Sequence, residues 1–171
     1  MKCKLLLMSF ALLAGSTANA QVTFSEDPNT SIEMDIQAKA DAAELKLSTF
    51  SLNSQMFHGA NVVIKLMDGT ILELTGTIDS DNLALNSDVG HGFADRFVSK
   101  ATLHLKPEQA ELFKHGVKSV QIRMTPYSFY HEWEQDELGQ PLYARYHVTK
   151  ESVMFKLKEK DMKKKKKESR K

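Results

Sequence analysis

The sequence predicts a small single-domain α+β protein, in which a mainly antiparallel, twisted sheet of six to eight strands carries one short helix. Three observations support this fold class. Residues 97–106 and 117–124 alternate apolar and polar side chains, which is the period of half-buried strands. The stretch between them carries signals for the start and the end of a helix. Residues 62–74 have the pattern of a β-hairpin.

The helix is predicted over residues 107–115. Pro107 suits the first helical position, where no backbone N–H is needed, and Gly116 suits a left-handed conformation just past the end. Val117 would then contact Leu112, as in a Schellman motif. Because so short a helix does not hold alone in water, we expect it to dock on the sheet. Whether the flanking strands run parallel stays open, since the link is near the shortest length for a crossover.

Further strands are predicted before the hairpin. Residues 32–36 and 45–49 alternate and are predicted as strands joined by a turn at 39–43, with a helix as the competing interpretation because of the alanines there. His58 and Gly59 are expected in the following loop.

The hairpin joins strands at 62–66 and 71–74. The Asp68-Gly69 pair between them favours a type I′ turn. Residues 79–96 show no periodicity and are predicted to be a long loop, the most mobile internal part of the domain and a candidate lid.

A second hairpin is predicted over residues 127–148, with its loop at 136–139. That register separates an apolar face from a face of aromatic and charged side chains. Such a face can bind a sugar, a peptide or a partner protein, and the alternative is that these residues are good strand formers that only stabilise the sheet. The predicted binding surface consists of Tyr130, Glu132, Tyr143, Arg145 and His147. Residues 150–158 are compatible with either a last strand or a helix.

Residues 1–20 have the features of a cleaved secretory signal peptide of bacterial type. Two lysines precede an apolar run at 5–14, and Ala18-Asn19-Ala20 forms a cleavage site. We therefore expect export to the periplasm or the cell exterior, with one folded domain over residues 21–158. The single cysteine, Cys3, lies in this peptide, so the mature chain has no thiol chemistry.

The charges divide the chain into an acidic body and a basic end. Residues 21–155 carry 11 Lys or Arg and 19 Asp or Glu, whereas residues 156–171 carry 10 and 3. An acidic body argues against nucleic-acid binding by the folded part. Residues 159–171 are predicted to be a disordered Lys-rich tail that is solvated, folds back on the acidic body, or contacts an anionic membrane surface. The predicted contacts are Lys163, Lys164, Lys165, Lys166 and Lys167.

No catalytic or metal-binding motif stands out, and we expect no cofactor. The acidic loop at 79–88 lacks the glycine of an EF-hand, and the histidines lack the spacing of a zinc site. The first functional hypothesis is an exported, non-enzymatic binding module of the cell envelope, with a protein, peptide or glycan as partner. The alternative is a secreted hydrolase on the polar face of the 127–148 hairpin, where Ser128 would lie opposite His147.

Overall fold

The computed structural model describes residues 22–27, 29–52, 55–89 and 92–168, with the backbone alone at 26–27, 81–89 and 92–96. These residues form a curled antiparallel sheet of eight strands with two helices, which confirms the predicted α+β class. The predicted signal peptide lies outside the described residues. The strands are β1 (Val22–Asp27), β2 (Thr30–Ala38), β3 (Ala43–Ser51), β4 (Met56–Leu66), β5 (Ile71–Val89), β6 (Gly92–Leu105), β7 (Val117–Thr125) and β8 (Phe129–Glu132). The helices are α1 (Pro107–Glu111), continued by a 3-10 turn (Leu112–His115), and α2 (Gly139–Glu168).

The strand order is β1-β2-β3-β6-β5-β4-β7-β8, and every neighbouring pair is antiparallel. The strands on either side of α1 are β6 and β7, and two other strands lie between them. Three successive antiparallel pairings separate β6 from β7, so these two strands run in opposite directions. The link through α1 therefore passes from the middle of the sheet towards its β8 end.

Aromatic side chains bring the two end strands of the sheet together. The ring centroid of Phe24 on β1 lies 5.5 Å from that of Phe129 on β8 and 5.3 Å from that of Trp133 just beyond it. The curled sheet encloses one core of side chains from its inner face, among them Met34, Leu45, Ile64, Leu103 and Ile122. Burying this face offsets the conformational entropy lost on folding.

The prediction for α1 is confirmed at its start and is wrong in its C-terminal detail. Pro107 occupies the first turn, and Gly116 takes a positive φ of +76°. The N–H of Val117, which a Schellman motif would direct back to the helix, instead donates to Oδ1 of Asp136 at 2.9 Å. The helix docks through Ala110 and Phe113, which are fully buried.

The predicted hairpins at 32–49 and 62–74 are both present, which excludes the helix considered for the alanines between residues 38 and 43. The turn at Asp68-Gly69 differs from type I′. It is a three-residue loop in which the N–H of Gly69 donates to the carbonyl of Leu66 at 3.0 Å, and Gly69 has a φ of +88°. A type I turn followed by a glycine of positive φ joins strands equally well.

Two predicted loops are wrong, because the backbone in both places is strand. Residues 79–89 belong to β5 and residues 92–96 to β6, and the two strands stay paired out to Val89 opposite Gly92. Ladder hydrogen bonds need no hydrophobic alternation, which is expected only where one face lies on the core. His58 and Gly59 lie within β4, where the pairing to β7 shifts between Phe57 and Val62.

The predicted 127–148 hairpin is also wrong. Only its first half is a strand, β8, and this pairs with β7. Its second half begins α2, which also answers the question left open at residues 150–158. Leu138, Leu142 and Tyr146 are four residues apart and all buried, so they form one helical face. Apolar residues also recur at every second position of this stretch, which is the pattern of a strand. That ambiguity produced the wrong prediction.

The side chain of Asp136 fixes the start of α2 to the start of β7. Its Oδ1 accepts the backbone N–H of Val117 at 2.9 Å and of Gly139 at 2.6 Å, with a longer bond from Leu138 at 3.2 Å. Its Oδ2 accepts the N–H of Gln140 at 2.8 Å. One carboxylate thus caps the helix and satisfies a strand amide as well.

Two glycines allow this close approach. A Cβ at Gly139 would lie 2.7 Å from the Cα of Gly116, and a Cβ at Gly116 would lie 2.9 Å from the Cβ of Asp136. The backbones therefore meet at a distance that no larger residue permits.

Replacing Asp136 with Ala should lower the free energy of unfolding by about 2–3 kcal/mol, because several backbone N–H groups lose their acceptor. Asp136→Asn keeps one acceptor oxygen and should cost less. Chemical denaturation measures both, with Asp161→Ala on the exposed part of α2 as the control. Equal stability of Asp136→Ala and the unchanged protein would contradict this role.

Candidate functional site

The structure divides the predicted binding surface between two elements. Tyr130 and Glu132 lie on β8, whereas Tyr143, Arg145 and His147 lie on α2. The cross-strand contacts that would have joined them do not form. The side chains on β8 and the side chains on α2 instead have separate partners.

On β8, Tyr130 and Glu132 form a small exposed network. The hydroxyl of Tyr130 donates to Oε2 of Glu132 at 2.7 Å, and the ammonium of Lys118 on β7 lies 3.2 Å from Oε1. The hydrogen bond from Tyr130, followed by that from Lys118, holds the pKa of Glu132 below its ordinary value. The same bond raises the pKa of Tyr130, because ionising the phenol beside a carboxylate is unfavourable.

On α2, Arg145 and Thr149 cover the edge of β2 that β1 leaves open. Nε of Arg145 donates to Oδ1 of Asp35 at 3.0 Å, and this carboxylate is only 11% exposed. Oγ1 of Thr149 accepts the backbone N–H of Ala38 at 2.9 Å. β1 pairs with β2 only over Thr30 to Met34, so the helix takes the place of a neighbouring strand beyond that point.

Glu111, at the end of α1, binds two side chains of α2. Its Oε2 lies 3.1 Å from Nε2 of His147, and its Oε1 accepts a hydrogen bond from Nζ of Lys150 at 2.7 Å. Lys150 first, and His147 after it, hold the pKa of Glu111 below its ordinary value. The bond to Glu111 in turn raises the pKa of Lys150. These side chains are about one-third exposed or more, so the cluster is a partly exposed contact that docks α2 on α1.

The contacts that α2 makes up to Lys150 fix it to the rest of the fold, and we call them its anchor. Beyond this anchor, α2 extends away from the sheet as an exposed arm, which we define as residues 151–168. Every residue of the arm except the half-buried Val153 is exposed. At 1.5 Å per residue the arm is about 27 Å long. We expected a disordered tail over residues 159–171, and the described part of that segment is helical up to Glu168. Helical structure gives the lysines fixed relative positions that a disordered chain would not.

Five lysines of the arm share one side of the helix. Successive lysines of this set lie three or four residues apart, the spacing that places side chains one above another, except for the adjacent Lys163 and Lys164. This basic face consists of Lys156, Lys160, Lys163, Lys164 and Lys167. The last four line one shallow depression. Of the five predicted surface contacts, Lys163, Lys164 and Lys167 thus lie together, and Lys165 and Lys166 point to other sides.

Ser128 and His147, the pair considered for a hydrolase, lie on different elements of the fold. Ser128 lies in the connection between β7 and β8, and His147 lies on α2 against Glu111, so the register that would have paired them is not formed. Within the described part of the chain, no three His, Cys, Asp or Glu side chains are grouped to hold a metal ion. None of the described helices is long and apolar enough to cross a membrane.

Sequence reasoning missed the anchor of the arm, although signals for it were present. Asp136, followed by Pro141 and the spacing of Leu138, Leu142 and Tyr146, is typical of a capped helix. The partner of His147 and Lys150 could not be found in this way. Glu111 lies 36 residues before His147, and only the folded chain brings them together.

Comparisons of this chain with family models, curated proteins and solved structures gave no match.

Glu111→Gln should lower the free energy of unfolding by about 0.5–1 kcal/mol at neutral pH, the size expected for partly exposed ion pairs. The pKa of Glu111 is depressed on folding, so its stabilising effect is present above its ordinary pKa of 4.5 and lost as the pH falls through the folded value. The difference from the unchanged protein should therefore vanish in acid.

Denaturation curves from pH 7 to about pH 3 test this sign. The exposed Glu108→Gln on the same helix is the matched control and should show little difference at any pH. A difference that grows as the pH falls would contradict the assignment.

Proposed function

We propose that this is an exported, non-enzymatic binding protein of the cell envelope, and that the arm holds it on an anionic surface such as a membrane rich in acidic lipid. The observation that carries the proposal is the basic face of the arm, five lysines on one side of an exposed helix. Each lysine near an anionic surface contributes about 1 kcal/mol of attraction. Export is supported by the signal-peptide pattern in residues 1–20.

The separation of charge along the chain supports this use of the arm. An acidic body is repelled by an anionic surface, and that repulsion would oppose binding if the lysines lay beside it. Charges are screened over about 8 Å at physiological ionic strength, which is much shorter than the arm. Lys163, Lys164 and Lys167 lie towards the far end of the arm, where they can meet a surface while the body stays beyond the screening length.

The anchor contacts keep the arm in this position. Asp136 joins the start of α2 to β7, Arg145 binds Asp35 on β2, and Lys150 binds Glu111 on α1. These three contacts fix the first turns of the helix to the rest of the fold. An arm held at one end loses less conformational entropy on binding than a disordered tail would.

Replacing the five lysines of the basic face with Gln should weaken binding to anionic vesicles at least a hundredfold at low salt, because the attraction of about 1 kcal/mol from each lysine is lost at all five positions. Co-sedimentation with vesicles of acidic and of neutral lipid measures this. The unchanged protein should pellet with acidic vesicles at low salt and stay in solution at high salt.

The matched control makes the same change in charge on the body. It replaces five exposed lysines outside the arm, which are Lys46, Lys65, Lys100, Lys106 and Lys114. Compared with the unchanged protein, this variant should bind acidic vesicles at most a few-fold more weakly. The proposal fails if the protein pellets equally with neutral vesicles, if it pellets with neither, or if both variants lose binding alike.

A further inference from the structure

We propose a second binding site, for a neutral oligosaccharide, on the outer face of β4, β7 and β8. This site lies apart from the arm and does not depend on the function proposed for it. A shallow depression of about 260 Å³ lies there, lined by Asn61, Gln121, Arg123 and Ser128 together with Val63. Sites for whole small molecules start at about 300 Å³, so this depression suits a single sugar ring of a longer chain.

The sheet register places an aromatic ring at the border of this depression. Gln121 on β7 lies opposite Val63 on β4 and opposite Tyr130 on β8. Directly opposed residues point to the same face of a sheet, so Tyr130 is on the outer face with Gln121. The apolar Val63, more than one-third exposed, continues this surface on the other side.

Two tyrosines are exposed at this end of the molecule. Tyr127 precedes Ser128 in the connection between β7 and β8 and is 73% exposed, and Tyr130 is 48% exposed. The hydrogen bond that the Tyr130 hydroxyl donates to Glu132 fixes the position of this hydroxyl. Tyrosine pairs an apolar ring with a polar hydroxyl, so it can stack on the C–H face of a sugar and also bond its hydroxyls.

The polar groups in the depression supply both donors and acceptors. The Arg123 guanidinium only donates, whereas the amides of Asn61 and Gln121 and the hydroxyl of Ser128 do both. Neighbouring hydroxyls on a sugar also act as donor and acceptor, so they match this set.

Charge on the surrounding face decides against a charged ligand. On β4 and β5 the cation Lys65 is offset by Glu73, and on β7 and β8 the cation Lys118 is paired with Glu132. Among the described residues of this face, one cation remains, Arg123. The face therefore has neither the large positive charge expected of an anion site nor the dominant apolar area expected of an obligate protein interface. A neutral, hydroxyl-rich ligand fits this balance.

The test is an array of neutral hexose and N-acetylhexosamine oligosaccharides, from disaccharide to hexasaccharide, followed by calorimetric titration of those that bind. Tyr130→Ala and Arg123→Gln should each weaken binding about tenfold, since stacking or hydrogen bonding is lost. Circular dichroism verifies that these variants remain folded. The matched control is Phe155→Ala, an aromatic residue on the arm that is 66% exposed, and it should leave binding unchanged.

Salt separates this site from the arm. Binding of a neutral sugar should change less than twofold between low and high salt, and it should persist in the variant that lacks the five lysines of the basic face. The proposal is overturned if no oligosaccharide of the array binds, or if Phe155→Ala weakens binding as much as Tyr130→Ala. Loss of sugar binding at high salt or in the five-lysine variant would equally overturn it.

Discussion

The carboxylate of Asp136 holds the parts of this fold together, because it binds the start of α2 and the start of β7 at the same time. A helix terminus leaves its first N–H groups without partners, and here one side chain satisfies three of them along with a strand amide. The close approach depends on glycine at positions 116 and 139. Everything that α2 contributes further along the chain follows from this fixed starting point.

From that point α2 has two roles, one in the core and one on the surface. Its first turns complete the fold, since Leu142 and Tyr146 fill the core and Thr149 bonds the open edge of β2. Its remaining turns contribute nothing to the core and extend as the arm. Because one continuous helix connects the two parts, the orientation of the lysines is set by the packing of the core.

The two proposed surfaces differ in the physical force that they use. The arm would act through charge, which is long-ranged and screened by salt. The face of β4, β7 and β8 would act through stacking and hydrogen bonds, which are short-ranged and little affected by salt. A protein with both would be held near an anionic envelope by one surface and would select a glycan there with the other.

The sequence alone determined the α+β class, strands β2, β3 and β7, the central parts of β4, β5 and β6, and the start of α1, because these depend on local signals such as alternation over 97–106 and Pro107. It failed where a local pattern fits two structures: residues 138–148 alternate as a strand and repeat as a helix, and only packing of Leu138, Leu142 and Tyr146 in the core selects the helix. The outer part of the β5–β6 pairing gave no signal, since backbone hydrogen bonds do not depend on side-chain pattern. The lysines of the arm were visible in the sequence, but the helix that orients them depends on contacts with residues as distant as Asp35, which only the tertiary structure brings together.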